Sequence, residues 1–166
     1  IRYANFVQFF AMIGSCIAVS LIVKKMNGNK QLQLIAFLLT MTLPVGIFQA
    51  TSTQNDFVVG FFMITALYYF IKMFDEGLQN RSVFLFSISM ALCGLTKFSG
   101  WIFLFPFLLY YFIRCFLKYK QQFVIRLILI GFINLVLFLP FVIRNMQTFE
   151  SPLGAKNKAE LSSNLQ

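Results

Sequence analysis

The stretch Leu43–Ala66, LPVGIFQATSTQNDFVVGFFMITA, decides how the chain is read. Its first residues close one apolar run, and Phe57 opens another. Between them lie Gln49 to Asp56, eight small and polar residues with one acid, Asp56, at the end. The flanking runs suit lipid in length and character, so the polar break either faces water or lines a site.

Composition supports a chain built for the bilayer. Of 166 residues 59% are hydrophobic, 23 are Phe and only 11% are charged, whereas soluble domains carry about 25% charge. Apolar runs of about 20 residues recur along the length. The polar helix faces that a soluble bundle would need are largely missing. The expected fold is therefore all-α: a polytopic transmembrane bundle of about six membrane segments, two of them short. Residues 1–146 read as the bundle and 147–166 as the start of an outer loop or outer domain. Because the chain opens at Ile1 without Met and closes on a polar stretch, both ends read as cut.

The formal net charge of +9 is concentrated in and beside the breaks. That pattern fits anionic headgroups and the positive-inside rule, and nucleic acid is not an expected partner. Cys16, Cys93 and Cys115 fall in apolar segments and read as packing residues. The chain has no His, and no Cys pair stands at ligand spacing, which argues against a zinc site.

Span one is expected from about Ala4 to Val23, followed by the lysine-rich turn KKMNGNK, with Asn27-Gly28 as the bend. Span two follows from Leu32 to Ala50, its last turns loosened by Pro44 and Gly46. Span three runs from Phe57 to Ile71, with Asn55 or Asp56 as its cap, and ends in KMFDEGLQNRS. There Gly77 reads as a C-cap, Ser82 as an N-cap, and Asp75, Glu76 and Arg81 as solvated loop charge. Val83 to Leu117 is too short for two full spans. A short helix to Leu95, the turn TKFSG and a second helix are expected. A helix of about 13 residues covers only about 20 Å of a core near 30 Å. Either it is a short segment inside a bundle, or the turn dips into a cavity. In the second case Lys97 lies at membrane depth, where a cation needs an anion to meet it. The last span, Phe123 to Ile143, is expected to exit at Arg144-Asn145.

Counting sides from the lysine-rich turns places those turns on the inner face. QATSTQND, TKFSG and RN…SPLG then share the outer face, as an outward-facing pocket requires. Trp101, beside the outer turn, reads as an interface anchor. Asp56 could act as a base, ligate a divalent cation or bind a sugar hydroxyl, and it could equally be a helix cap. Lys97 and Arg144 would suit an anionic phosphate, with snorkelling as the alternative. Gln49, Thr53, Gln54, Asn55 and Asn145 complete the expected pocket. No cofactor is assigned beyond an optional divalent cation.

QATSTQND at the head of a span, LCGLTKFSG further on and FVIRN…SPLG at a later exit together resemble the polytopic membrane glycosyltransferases of the GT-C type. The resemblance is to the bacterial branch related to protein O-mannosyltransferases and to aminoarabinose transferases. It covers Phe48 to Gly154. It implies transfer of a sugar from a polyprenyl-phosphate donor to an acceptor lipid, glycan or protein at the outer face of the inner membrane. It also implies a catalytic acid in the first outer loop, upstream of Ile1, with Asp56 as a supporting acid and Lys97 and Arg144 toward donor phosphate. These 166 residues would then carry half a site and be inactive alone. The rival expectations are a flippase for a lipid-linked sugar and a structural membrane subunit.

Overall fold

The computed structural model describes residues 2–44, 46 and 55–152, with side chains described from Phe6 onward. Among the described residues there are six helices and no strands: α1 Arg2–Lys25, α2 Lys30–Met41, α3 Asp56–Glu76, α4 Asn80–Thr96, α5 Ser99–Tyr119 and α6 Gln121–Phe149. Four of them, α1, α3, α5 and α6, are long and apolar enough to cross a membrane, and α2 and α4 are shorter. The protein is a multi-pass membrane protein with an all-α bundle, as its composition requires.

Local chemistry sets the helix ends. α1 stops where Asn27 takes a left-handed φ of 62° and the Gly28 N–H reaches back to the Val23 carbonyl at 2.9 Å. Asn29 then caps α2 by accepting from the Leu32 N–H at 2.8 Å. α2 ends earlier than its apolar run suggests. Thr42 still turns both its N–H and its hydroxyl onto the Leu38 carbonyl, and the break falls at Leu43, directly before Pro44, whose ring disfavours helical backbone at the residue preceding it. α3 is closed by Gly77 at φ 92°. α4 begins at Asn80, two residues before the Ser82 expected to cap it, and Ser82 is buried inside the helix. α6 continues through Pro140 to Phe149, so Arg144 and Asn145 lie in its last turns rather than beyond its exit.

α3 is the hub. It packs on α1, α4 and α5, while α6 leans on α4 and α5, and α2 rests on α1. In lipid, helices associate through close packing and internal satisfaction of polar groups. α4 shows both. It buries Ser87, Ala91, Cys93 and Gly94, and the Ser87 and Ser89 hydroxyls donate to their own helix at Val83 and Leu85. A short helix enclosed by its neighbours has no need to span the bilayer by itself. The core joins Phe70 and Met73 of α3 to Phe86 of α4, Leu104 and Cys115 of α5 and Phe123 of α6. The Phe70 and Phe86 rings stack at 4.9 Å. All three cysteines are free and buried, as packing residues should be. α5 and α6 expose Phe103, Phe105, Ile128 and Phe132, the surface that lipid covers.

Because consecutive helices run antiparallel, the breaks alternate between two ends. Lys25, Lys30, Glu76, Asn80, Tyr119 and Gln121 mark a basic end, and Asp56, Thr96, Ser99 and Phe149 mark the opposite one. At the basic end Lys25 of α1 bonds Glu76 of α3, which also holds Lys72 at 3.6 Å. Glu76 is therefore an interhelical tie, not the solvated loop charge its position suggested. Lys118 and Tyr119 donate to the Phe74 carbonyl at 2.6 and 3.0 Å, satisfying the free end of α3.

Candidate functional site

The site is built at the end opposite the lysines, where the first residue of α3 meets the turn between α4 and α5. That turn is only Lys97 and Phe98. Lys97 leaves the helix in an extended conformation, with its N–H still bonded to the Cys93 carbonyl at 3.0 Å. Gly100 and Trp101 then start α5 by bonding back to the Lys97 and Phe98 carbonyls at 3.0 and 3.1 Å.

Two glycines let the turn reach its place. A Cβ on Gly94 would lie 2.7 Å from Trp101 and 2.8 Å from Phe138. One on Gly100 would lie 2.5 Å from Cys93 Sγ and 2.9 Å from Val59 of α3. Gly94 therefore brings α4 close to α5 and α6, and Gly100 brings α5 onto α3 and α4. The result places Lys97 over the head of α3, where its Nζ donates to Asp56 Oδ1 at 2.7 Å. The Lys97 side chain is 55% exposed and that of Asp56 32%. As the first helical residue, Asp56 also faces the positive end of the α3 dipole, an arrangement that stabilises a carboxylate by about 0.3–1 kcal/mol. Asn55 holds the N-cap position but makes no side-chain cap bond.

The ion pair separates two cavities. On the Asp56 side a space of about 320 Å³ is lined by Ser15, Thr40, Pro44 and Gly60 among others. On the Lys97 side a larger one of about 530 Å³ is walled by Phe98, Trp101, Phe138, Phe141 and Pro152. The second is an apolar chamber with a cation at its edge. Trp101 is half-buried there, its indole N–H bonded to the Met90 carbonyl at 2.8 Å and its ring against Phe98 and Phe138. It forms a wall of the chamber.

Arg144 is exposed and does not line the chamber; its guanidinium carbon stands 5.8 Å from the ring centroid of Phe141, which does. Asn145 is 3% exposed, and its amide donates to the Pro152 carbonyl at 3.3 Å, which fixes the chamber's last wall. Of the expected site residues, then, Asp56, Lys97, Asn55, Arg144 and Asn145 fall at one end. Gln49, Thr53 and Gln54 lie outside the described residues. Sequence reasoning missed Phe138, Phe141 and the two glycines. The spacing of Gly94 and Gly100 around a turn cation was the available signal.

A divalent cation takes six or more oxygen ligands when calcium and six in near-octahedral array when magnesium. Among the described residues no three His, Cys, Asp or Glu gather to hold a metal, and Asp56 already accepts from Lys97. The described donor set does not fit such a site.

A family model described as dolichyl-phosphate-mannose-protein mannosyltransferase matches residues 3–150, a span that takes in the six helices apart from Arg2 at the start of α1. No curated protein and no solved structure gives a match.

Proposed function

The chain belongs to the dolichyl-phosphate-mannose-protein mannosyltransferase family, and we propose that it serves transfer of a sugar from a polyprenyl-phosphate donor at the end of the bundle where Asp56 meets Lys97. Membership makes the protein a membrane glycosyltransferase of the kind that draws on lipid-phosphate-linked sugars. One observation carries the assignment of the site: a cation at the edge of an apolar chamber of about 530 Å³. An amphiphile with an anionic head and a hydrocarbon tail matches that pairing.

In the transfer the bond between the sugar's anomeric carbon and the phosphate oxygen breaks, and a bond from the acceptor heteroatom to that carbon forms. The lipid phosphate leaves with the bonding electrons, and the acceptor's proton passes to a base. Lys97 receives the growing negative charge on the phosphate by exchanging its Asp56 contact for the leaving oxygen. Arg144, whose guanidinium stands against the chamber residue Phe141, meets the same phosphate with its fork. Asp56 keeps Lys97 aimed when no donor is present and supports the acid that handles the acceptor. By the resemblance, that acid lies outside these 166 residues. The basic end would face the cytoplasm and the Asp56 end the outer side, following the positive-inside rule.

The test is to supply the full-length protein in liposomes with polyprenyl-phosphate mannose and a Ser/Thr-rich peptide, then quantify free polyprenyl phosphate and mannosylated peptide. The reading expects both to rise together. Donor crossing the bilayer with no free polyprenyl phosphate would make the protein a carrier instead.

A further inference from the structure

At the basic end a separate cavity of about 170 Å³ opens between α1, α3 and α5. Its lining includes Lys25, Phe74, Asp75, Tyr110, Tyr111 and Arg114. Lys25 is already committed to Glu76. That leaves Arg114 and Asp75, one charge of each sign on the wall of one small space. Among the described residues neither is joined to an opposite charge within 4.0 Å, and they are not joined to each other. The Arg114 guanidinium instead stands 5.5 Å from the Phe74 ring centroid and 5.9 Å from that of Tyr110, with a long 3.5 Å bond to the Tyr110 hydroxyl. Two opposite charges held apart across a cavity complement a dipolar guest, which can meet both at once.

We propose that this cavity binds the headgroup of a zwitterionic phospholipid bearing a primary ammonium, phosphoethanolamine in chemistry. The phosphodiester lies on the Arg114 fork, whose planar donors match two phosphate oxygens. The ammonium donates to Asp75, with the faces of Tyr110 and Tyr111 alongside. A purely anionic headgroup would meet Asp75 as a like charge. A trimethylated ammonium has no N–H to offer that carboxylate.

The position selects a lipid over a soluble phosphoethanolamine. Arg114 stands five residues before the end of α5, about 7.5 Å along the helix at 1.5 Å per residue. Its neighbours Ile113 and Leu117 are 51% and 67% exposed, so apolar surface for acyl chains begins beside the headgroup. The inference rests on the basic end alone and is independent of the transferase reading.

Native mass spectrometry of the delipidated protein in detergent tests it, with phosphatidylethanolamine, phosphatidylcholine and phosphatidylglycerol titrated separately. The wild type is expected to bind phosphatidylethanolamine about tenfold more tightly than either other lipid. Asp75→Asn should erase that preference, and Arg114→Gln should weaken all three lipids. Arg114→Lys should fall between Arg114→Gln and the wild type, which keeps the test readable if Arg114→Gln does not fold. Arg81→Gln, at the same end but outside the cavity, should leave the pattern intact. Equal affinities in the wild type would overturn the proposal, as would a preference that survives Asp75→Asn. An Arg81→Gln loss as large as that of Arg114→Gln would reduce the site to general surface charge. Displacement of the lipid by soluble phosphoethanolamine at equal concentration would show that the acyl chains contribute nothing, and would overturn the lipid assignment.

Discussion

Lys97 Nζ lies 2.7 Å from Asp56 Oδ1, joining the turn between α4 and α5 to the head of α3 across 41 residues of sequence. Both side chains keep substantial exposure, so the contact is a poor source of stability: exposed pairs contribute about 0–1 kcal/mol. Its value lies in position. The pair holds a cation at the edge of an apolar chamber, and water can solvate either partner when the other is called away.

A double-mutant cycle on Asp56→Asn and Lys97→Met should therefore give a coupling of about 1 kcal/mol or less in denaturant unfolding of the detergent-solubilised protein. A coupling above about 3 kcal/mol would mean that the pair is a buried strut, and its exchange for a donor phosphate would be untenable.

Packing around the turn should be far less tolerant. Gly94→Val and Gly100→Ala each push a side chain into atoms that leave no room, and overpacking costs about 1–3 kcal/mol. Gly131→Ala is the contrasting case. Nothing stands within 4 Å of its added methyl, and alanine is the better helix former by about 0.8–1 kcal/mol. Thermal unfolding should rank Gly131→Ala at or above wild type and the other two below it. The reverse order would refute the close approach of α4 to α5 and α6 and of α5 to α3 and α4.

Sidedness can be read with single cysteines in intact cells, because Cys16, Cys93 and Cys115 are buried. Met26, 72% exposed, and Phe98, 58% exposed, stand at opposite ends. A membrane-impermeant maleimide should label Phe98→Cys from outside and reach Met26→Cys only after permeabilisation. Labelling of both from one side would contradict the alternation of the helices.

Lys97 lines the chamber, whereas Arg144 reaches it only through the Phe141 ring, so its proposed contact with the donor is the more peripheral one. Arg144→Gln should raise the apparent KM for the lipid donor several-fold with kcat changed less than twofold, the pattern of lost uniform binding. An equal fall in kcat and kcat/KM would move Arg144 into the reacting centre.

Much of the bundle was legible in the sequence because lipid imposes strong rules. Runs of apolar residues gave the helices, and the lysine-rich turns gave their alternation. Where the reading failed, a local competitor won. Gln79 rather than Ser82 preceded α4, and α6 carried Arg144 and Asn145 inside its last turns. That Lys97 would need an anionic partner followed only if the TKFSG turn dipped to membrane depth, with snorkelling as the alternative. Which acid would meet it was not legible, because that depends on how Gly94 and Gly100 let α3, α4, α5 and α6 close together. The Lys25–Glu76 tie was hidden for the same reason: 51 residues separate partners that only packing unites.

The most direct test of the account is the rate of polyprenyl-phosphate release from saturating polyprenyl-phosphate mannose by full-length Lys97→Met, compared with wild type at equal folded amounts. Loss of one preorganised electrostatic contact to the leaving group should lower kcat about 100- to 1000-fold, with Lys97→Arg retaining part of it. Unchanged turnover in Lys97→Met would remove Lys97 from the donor phosphate and leave the Asp56 contact as a structural detail of the turn.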